Sequence, residues 1–320
     1  MNDMMLRQTA SRVALVAGLL VPCVACETPT SIGGALEETT EPRRWSGGWS
    51  PPIGLNNEHH LAYFAALDGG SLGAPGLAAV ELMIHGEPHE VDVVWVEQGH
   101  LHGISMGVEY SGTDFLGSVW EVALYRSDQF EPVFERLVIT AVDPSPAGIP
   151  GRYAFSIEMG VPDGLVPLCG PVDPGALVLE DLYVDRDGQV SAQADTLLIG
   201  CELGGVAKAV SWGYGPEAPG GLGGFEAAIR MVIADYCGDG TSYTTLGTPI
   251  WMKDTWGIHD EVGGDTVEAG WSIDGAACLS EPRTGALEDV ACVSSLPACP
   301  ADPVAQGDVL ATWLDRPSYP

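Results

Sequence analysis

Short apolar runs separated by glycine-rich or polar turns dominate the chain between residues 58 and 160. Apolar runs at 78–84 and 91–96 flank the turn-like segment 85–89, and this pattern predicts a hairpin. Three further strands are predicted at 118–125, 137–142 and 151–159. Since no segment before residue 160 shows a helical period, the pattern indicates a β-rich N-terminal region over residues 58–160.

Five glycines recur every four or five residues within this region, at Gly99, Gly103, Gly107, Gly112 and Gly117. A period of four to five does not fit a helix, and only single strand-compatible residues such as Leu101 and Ile104 stand between the glycines. Two interpretations follow: a set of tight β-turns, or a short coil of β-rungs.

The second half of the chain mixes strands with one helix. Runs at 177–184 and 190–199 flank an Asp-Gly turn at 185–188, which predicts a second hairpin. A helical face with i, i+4, i+7, i+8, i+11 spacing follows: Phe225, Ile229, Val232, Ile233 and Tyr236.

Glycines bracket this helical run, at Gly220–Gly224 before it and at Gly238 after it. We therefore expect residues 234–237, with the sequence Ala-Asp-Tyr-Cys, to form the last turn of the helix and Cys237 to pin its end. The region that contains Trp251, Trp256 and Trp271 is predicted to be mostly extended, and residues 301–320 a loosely attached tail with one amphipathic piece at 309–314.

The predicted fold class is α+β, predominantly β-rich, with one helix and a disulfide-stabilised C-terminal half. Residues 161–300 are predicted to form a cysteine-containing domain that follows the β-rich N-terminal region. A chain of 320 residues with 46% hydrophobic content is long enough to bury a substantial core.

The N-terminus has the layout of a signal peptide. Arg7 and Arg12 supply positive charge, and the apolar run over 13–22 has ten residues. That run is too short to cross a bilayer, which requires about 20 residues. No later segment reaches that length without a charge or a Pro/Gly break.

The sequence Cys23-Val24-Ala25-Cys26 resembles the lipobox of bacterial lipoproteins. Cys26 is the predicted site of lipidation because the small residue Ala25 precedes it. Residues 1–25 would then be a lipoprotein signal peptide and residues 26–57, rich in Thr, Pro, Gly and Glu, a flexible tether. Simple secretion after cleavage near Ala25 and an uncleaved anchor are the alternatives. The expected location is the bacterial cell envelope, at the outer membrane or in the periplasm.

The formal net charge of −31 is large for a chain of this length. A field of this sign repels nucleic acid and anionic membrane surfaces, so we predict no nucleic-acid partner and membrane contact only through the lipid anchor. The acidic surface serves solubility, or alternatively attracts cations or a basic partner. A protein or glycan partner is expected, with its identity left open.

Cysteine arithmetic predicts three disulfides in an oxidising compartment. Signal removal and lipidation account for Cys23 and Cys26. The six cysteines that remain can pair into three disulfides in 15 different ways. That set is Cys169, Cys201, Cys237, Cys278, Cys292 and Cys299. The pairings we expect are Cys292–Cys299 across a short loop, Cys169–Cys201 and Cys237–Cys278. Their spacings do not resemble a zinc knuckle, so no metal or other cofactor is predicted.

Three further patterns suggest chemistry, each with a structural alternative. The imidazoles of His85, His89, His100 and His102 would form a zinc site if the two pairs met, but exposed turn histidines are common. Cys237 with His259 as base would be a nucleophile pair, although a helix C-terminus raises a thiol pKa. Asp185-x-Asp187-Gly188 has its glycine too early for a calcium loop, which favours a turn.

The segment Ala234-Asp235-Tyr236-Cys237-Gly238-Asp239-Gly240 resembles the signature of the ADYC-domain family of exported bacterial proteins. The resemblance extends from Pro167 to Cys292, with these further carriers: Pro167-Leu168-Cys169-Gly170, Ala207-Lys208, Trp212-Gly213-Tyr214, Arg230-Met231, Gly247-Thr248-Pro249-Ile250, Glu268-Ala269, Trp271 and Ala277-Cys278. Ala209 and Ala227 or Ala228 stand where family members usually carry two cysteines. The resemblance therefore implies that one disulfide is missing here, and it implies no catalytic residue.

Together these patterns predict a lipid-anchored envelope protein that binds or scaffolds rather than catalyses. Trp251, Trp256 and Trp271 are the candidate contact residues, with core packing as the alternative for all three. The rival hypothesis is an extracellular hydrolase with an unrecognised acidic site. The sequence contains no Gly-x-Ser-x-Gly elbow, His-Glu-x-x-His helix or phosphate loop, which lowers the support for an enzyme.

Overall fold

The structure is a computed structural model that describes residues 53–55, 62–66, 76–124, 133–146, 152–161, 164–170, 175–185, 187–260, 263–307 and 309–315. Strands in this part are β1 Ile53–Leu55, β2 Ala62–Ala66, β3 Gly76–Ile84, β4 Glu87–Glu90, β5 Val93–Glu97, β6 His100–Ser105, β7 Val108–Ser111, β8 Val119–Leu124, β9 Val133–Asp143, β10 Ala154–Val161, β11 Gly164–Pro167, β12 Ala176–Val184, β13 Val190–Cys201, β14 Pro249–Asp254, β15 Thr266–Ser272, β16 Gly275–Leu279 and β17 Leu310–Leu314.

The described residues contain two α-helices, α1 Gly205–Ser211 and α2 Gly221–Ile233. Short 3₁₀ helices lie at Gly112–Phe115, Leu287–Asp289, Val293–Ser295 and Val304–Gln306. The predicted α+β, β-rich fold class is therefore confirmed. Within the described ranges, neither helix has the length and apolar character needed to cross a membrane.

The largest sheet closes on itself. Its strands follow the order β11-β10-β12-β13-β2-β3-β8-β9, with β4 paired to β3, and β9 pairs again with β10. A ring of seven strands results because every neighbour in the series from β10 through β9 is hydrogen-bonded. Large side chains fill its interior, among them Trp120, Leu137, Ile157 and Leu197.

Strand β12 contributes to two cores at once. Ala176 and Val178 lie in the core inside the ring, whereas Leu177 and Leu179 lie in a second core around the helices. A strand buried on both faces shows a continuous apolar run rather than alternation. This explains why residues 176–179 are apolar at every position.

A separate three-stranded antiparallel sheet, β5-β6-β7, lies against β12 and β13. The predicted hairpin between residues 78–84 and 91–96 is wrong, because β3 turns at His85-Gly86 into β4 and β5 pairs with β6. Asp92 begins the second sheet: its backbone N–H donates to the Ile104 carbonyl oxygen.

The glycine series forms tight turns rather than a coil of rungs. Gly99, Gly107 and Gly117 have positive φ and stand at turns, Gly112 has positive φ and begins the 3₁₀ helix Gly112–Phe115, and Gly103 lies inside β6. Gly103 has no room for a side chain, because an added Cβ would lie 2.9 Å from the Val91 side chain. The turn interpretation is therefore confirmed for three of the five positions.

The five-stranded sheet has the order β1-β14-β17-β15-β16 and is antiparallel throughout. Its central strand, β17, comes from the segment that was predicted to be a loose tail. That prediction is wrong for residues 310–314: Leu310, Ala311 and Thr312 are fully buried between β14 and β15. A five-residue strand is too short for its burial to be visible in the sequence pattern.

Helix α2 lies between β13 of the ring and β15 of the five-stranded sheet. It begins at Gly221, inside the glycine run, and ends at Ile233. The helix thus stops before the Ala-Asp-Tyr-Cys sequence, which corrects the expectation that residues 234–237 form its last turn. Ala234 instead takes the left-handed conformation that terminates the helix, with φ of 54°.

Three disulfides are formed, and only one matches the expected pairing. Cys169–Cys201 is confirmed, whereas the other two bonds are Cys237–Cys292 and Cys278–Cys299. The expected pairs Cys237–Cys278 and Cys292–Cys299 are therefore wrong.

The fold explains the exchanged pairing. The Leu279 N–H donates to the Pro297 carbonyl oxygen, which brings Cys299 beside the end of β16 and its Cys278. A 3₁₀ helix follows Cys292 and turns the chain between Cys292 and Cys299. Three disulfides in one chain are typical of proteins that fold in an oxidising environment.

Strands on both sides of residue 160 belong to the same sheet. The boundary predicted between 58–160 and 161–300 falls within β10, which pairs with β9, β11 and β12. The division into separate domains stays a prediction. The predicted signal peptide, the tether sequence up to residue 52 and Cys26 lie outside the described residues.

Candidate functional site

The residues of the Ala-Asp-Tyr-Cys signature form the junction between α2 and the five-stranded sheet. The side chain of Asp235 is fully buried and pairs with the Arg230 guanidinium at 2.7 Å. Its carboxylate also accepts the backbone N–H groups of Asp239 and Gly240. Burial raises the pKa of Asp235, although these hydrogen bonds and the Arg230 charge act in the opposite direction.

Arg230 links this turn to the rest of the core. Its guanidinium pairs with Glu226 at 3.0 Å and donates to the carbonyl oxygens of Asp187 and Ile273. Glu226 in turn accepts the backbone N–H of Val190. The pair Arg230–Asp235 therefore holds the end of α2 against both the ring sheet and the five-stranded sheet.

Tyr236 lies at the centre of a second buried network. Its hydroxyl donates to Glu268 at 2.8 Å and accepts the backbone N–H of Arg283, and its ring stacks on Trp271 at 5.3 Å. Burial and the neighbouring Glu268 carboxylate raise the pKa of Tyr236, so the hydroxyl keeps its proton. The Glu268–Arg283 ion pair, at 2.7 Å, is fully buried on both sides.

The last signature positions close the turn. Cys237 is bonded to Cys292, so it is no nucleophile, and Gly238 has a φ of +70°. A Cβ at Gly238 would lie 2.2 Å from the Asp274 carbonyl oxygen, which only glycine avoids. The signature residues thus terminate a helix, form ion pairs and fill the core, and none of them lines an open site.

The open site lies elsewhere, in a cleft between the α1–α2 loop, the loop after β14 and Arg152. Its walls are mostly apolar, and the side chains that matter for binding are Arg152, Trp212, Glu217, Ile258 and His259. Trp212-Gly213 is one of the segments that carry the family resemblance. This cleft is the candidate functional site.

Asp254 fixes the backbone of the cleft from behind. Its buried carboxylate accepts the backbone N–H groups of Trp256, Ile258 and His259, and it also accepts the hydroxyl of Tyr214. One side chain therefore ties the loop after β14 to the α1–α2 loop. Because the walls are held by hydrogen bonds, the cleft is pre-formed.

The α1–α2 loop and the loop after β14 approach each other closely at Gly213, which has no side chain and a φ of +92°. A Cβ there would lie 2.9 Å from the Ile258 side chain. Trp256 packs against Gly220 and Gly224 at the start of α2, which brings the helix terminus under the cleft. Any larger residue at Gly213 or Gly220 would push the two walls apart.

The polar groups of the cleft are engaged with one another and with backbone carbonyl oxygens. Arg152 is largely buried and pairs with Glu217, whose side chain is 62% exposed. The His259 Nε2 atom lies 2.8 Å from the Trp212 carbonyl oxygen, and the Ser211 hydroxyl donates to the Lys208 carbonyl oxygen. Within the described residues, no hydrogen bond joins Ser211 to His259.

A second surface with unusual composition covers one face of the three-stranded sheet. Trp95 and His102 stack at 5.2 Å, His102 and His100 at 6.4 Å, and the His100 ring contacts Tyr153 at 4.4 Å. Cross-strand pairing places these side chains in one row. We call the row Trp95–His102–His100–Tyr153 the aromatic–histidine face.

The predicted histidine site is not assembled. His85 and His89 belong to the β3–β4 hairpin, whereas His100 and His102 lie on β6. The expectation that His100 and His102 share one face is met, and their ring centroids lie 6.4 Å apart. In the described ranges, no group of three or more His, Cys, Asp or Glu side chains is placed to hold a metal ion.

Of the three tryptophans proposed as contact residues, Trp271 lies in the core and Trp256 packs against it, whereas Trp251 is half-buried. Trp271 is fully buried, so it is no contact residue, and its Nε1 donates to Thr312. Trp256 packs under the cleft, and Trp251 donates to Asp315. Sequence reasoning missed Trp212 as a wall of the cleft, although its place in a family-like segment was a usable signal.

The turn at residues 185–188 matches its structural interpretation. Asp185 Oδ1 accepts the backbone N–H groups of Asp187 and Gln189, as in an Asx turn. The turn interpretation is therefore confirmed, and no group of three or more potential ligands is placed to hold a metal ion among the residues described here.

Comparison with known families agrees with the signature. The model of the ADYC domain matches residues 112–285, which begins well before Pro167, where the sequence resemblance was first visible. The match therefore includes β8 to β11 as well as the helices and most of the five-stranded sheet. No curated protein and no solved structure gives a significant match. Because the family model covers more than half of the chain, the protein belongs to the ADYC-domain family.

Proposed function

We propose that this chain is an exported, lipid-anchored binding module of the cell envelope, with no catalytic activity of its own. The three disulfides support an oxidising compartment. The signal-like N-terminus with Cys26 supports the anchor.

The anchor predicts a defined mature N-terminus. Intact mass spectrometry of protein from bacterial membranes is expected to give a chain that starts at Cys26 and carries acyl mass. A Cys26→Ser variant should leave the membrane fraction, because an acyl chain holds a protein by about 0.8 kcal/mol for each buried CH₂ group. A mature chain that starts elsewhere without lipid would contradict the anchor and leave export as simple secretion.

The cleft is the proposed ligand site, and its chemistry favours a neutral polyhydroxylated ligand. The net charge of −31 opposes anionic ligands, and the Arg152 and Glu217 charges in the wall offset each other, so the cleft does not select a charged ligand. A sugar ring offers hydroxyls for the adjacent donor and acceptor of Arg152–Glu217 and an apolar face for Trp212. The observation that carries this proposal is the convergence of these three side chains on a pre-formed, mostly apolar cleft.

The hydrolase alternative has less support. A glycosidase needs two carboxyl groups that flank the scissile bond, and Glu217 is the one acidic side chain among the described cleft residues. Burial raises the pKa of Glu180, but this residue is not part of the cleft wall. We therefore favour binding over catalysis.

Titration calorimetry with neutral tetrasaccharides, namely cellotetraose, maltotetraose and chitotetraose, tests the proposal. We expect at least one of them to bind. Glu217→Ala should weaken its binding about tenfold, since a hydrogen bond to a charged group is worth about 1.5–3 kcal/mol. Trp212→Ala should weaken binding by a similar factor, because it removes the apolar face. Tetragalacturonate should not bind, because the net charge of the protein repels it.

The matched control is Glu109→Ala, which removes an equally exposed carboxylate outside the cleft. It should leave the affinity for the neutral sugar unchanged. Failure of every neutral sugar to bind would overturn the proposed ligand class. Release of shorter sugars from a bound tetrasaccharide would instead identify a hydrolase.

A further inference from the structure

Three of the four residues of the aromatic–histidine face lie in a part of the chain without positive side chains, and Arg152, the neighbour of Tyr153, packs on Gly99 and pairs with Glu217. Residues 45–125 contain no lysine or arginine, whereas Glu97 and Glu109 border the row directly. Glu97 is the cross-strand partner of His100, and Glu109 lies 3.2 Å from the His102 ring. The face therefore combines aromatic rings with the carboxylates of Glu97 and Glu109.

Each ring of the row is half-buried, so one side is supported by the sheet and the other is open to a partner. Val93, which is 48% exposed, extends the open face along β5. Tyr153 is held in place because its ring packs directly against Gly112, where a Cβ would clash with it. The row is thus a rigid, pre-ordered surface rather than a set of mobile side chains.

We propose that the aromatic–histidine face docks a basic polypeptide segment of a partner protein. Lysine and arginine side chains are attracted to the faces of Trp and Tyr rings, and they pair with carboxylates such as those of Glu97 and Glu109. The net charge of −31 draws a cationic partner toward the chain and repels an anionic one. This charge complementarity selects a basic segment over an acidic one.

The docking surface is distinct from the cleft. Arg152 lines the cleft, whereas its neighbour Tyr153 ends the aromatic–histidine face. The proposal therefore does not depend on the sugar site, and the two surfaces can be inactivated separately. A small ligand and a basic partner would then bind the same molecule at once.

Fluorescence anisotropy with a labelled decalysine peptide tests the proposal at about pH 8, where histidine is ordinarily neutral. Because a highly acidic protein attracts any polycation, the variants decide the result. We expect Trp95→Ala to weaken binding about tenfold, as a central interface tryptophan does, and Glu109→Ala to weaken it roughly threefold. A decaglutamate peptide should not bind.

Glu217→Ala is the matched control, since it removes the same charge from the cleft. Binding that falls equally in Glu109→Ala and Glu217→Ala, and is unchanged in Trp95→Ala, would mean unspecific attraction and would overturn the docking surface. Circular dichroism of each variant shows whether the fold is intact. If Trp95→Ala does not fold, Trp95→Phe is compared with the wild type instead. We expect Trp95→Phe to bind the decalysine peptide more weakly, because phenylalanine binds cations less well than tryptophan.

Discussion

Replacing Arg283 with alanine is expected to lower the free energy of unfolding by about 3–5 kcal/mol, because it leaves a buried carboxylate without its partner. The side chains of Arg283 and Glu268 are fully buried, and Arg283 Nε lies 2.7 Å from Glu268 Oε1. The guanidinium also donates to the Val232 carbonyl oxygen at the end of α2 and lies 5.8 Å from the Trp271 ring. Denaturant unfolding under non-reducing conditions measures the loss.

Lys253→Ala is the matched control, because Lys253–Asp302 is an ion pair at a partly exposed position. The Lys253 ammonium lowers the pKa of Asp302 through a hydrogen bond, yet an exposed pair of this kind is worth only about 0–1 kcal/mol. A loss for Arg283→Ala no larger than that for Lys253→Ala would contradict the prediction.

A double variant tests whether the unpaired carboxylate explains the loss. Glu268→Gln with Arg283→Met removes both charges and keeps most of the volume, so it is expected to be more stable than Arg283→Ala alone. Glutamine still accepts the Tyr236 hydroxyl hydrogen that Glu268 accepts now. If the double variant is the less stable one, an unpaired buried carboxylate does not explain the loss in Arg283→Ala.

Removing the Cys237–Cys292 disulfide is expected to have the second large effect. The bond closes a loop with a sequence separation of 55, for which the chain-entropy model gives a loss of about 4.2 kcal/mol. The same model gives about 3.7 kcal/mol for Cys169–Cys201 and about 3.3 kcal/mol for Cys278–Cys299, with separations of 32 and 21. We expect denaturant unfolding of the three double Cys→Ala variants to show losses of stability in this order, with the largest loss for Cys237–Cys292.

The Cys278→Ala/Cys299→Ala variant is the internal control for the order. If it loses more stability than Cys237→Ala/Cys292→Ala, the entropy of loop closure does not determine how much each of these disulfides stabilises the fold. Cys237→Ala also removes the contact between its sulfur and the Cys292 N–H, so a loss somewhat above the entropic figure remains consistent.

Peptide mapping verifies the connectivity on which this order depends. No Glu, Lys or Arg lies between Cys292 and Cys299, so both stay in one peptide after digestion at glutamates. In the observed pairing that peptide is linked to the peptides of Cys237 and Cys278. Direct linkage of the Cys237 peptide to the Cys278 peptide would contradict the structure.

Local patterns predicted the strands well where a run is long or alternates. The segments 118–125, 137–142, 177–184 and 190–199 all correspond to strands of the ring sheet. The shorter elements escaped detection. Helix α1 has seven residues and β17 has five, and such windows are too short for periodicity to separate a buried element from a loop.

Local patterns did not predict which strands pair with each other. The predicted turn at 85–89 is confined to His85-Gly86, because residues 87–89 belong to β4. Strand β3 pairs with β4 on one side and β8 on the other, while β5 joins a different sheet. A hairpin prediction assumes that neighbours in sequence are neighbours in the sheet. Here the four residues of β4 end the first hairpin early, and the chain crosses to the second sheet.

The sequence alone determined the β-rich class, the helix before the signature, the six disulfide cysteines and the acidic character, because each depends on composition or on contacts nearby in the chain. Only the tertiary structure decided which cysteines pair, which tryptophans are buried and where Trp212 meets Arg152 and Glu217. Those outcomes depend on contacts between residues up to 65 positions apart, and no local pattern encodes such a distance.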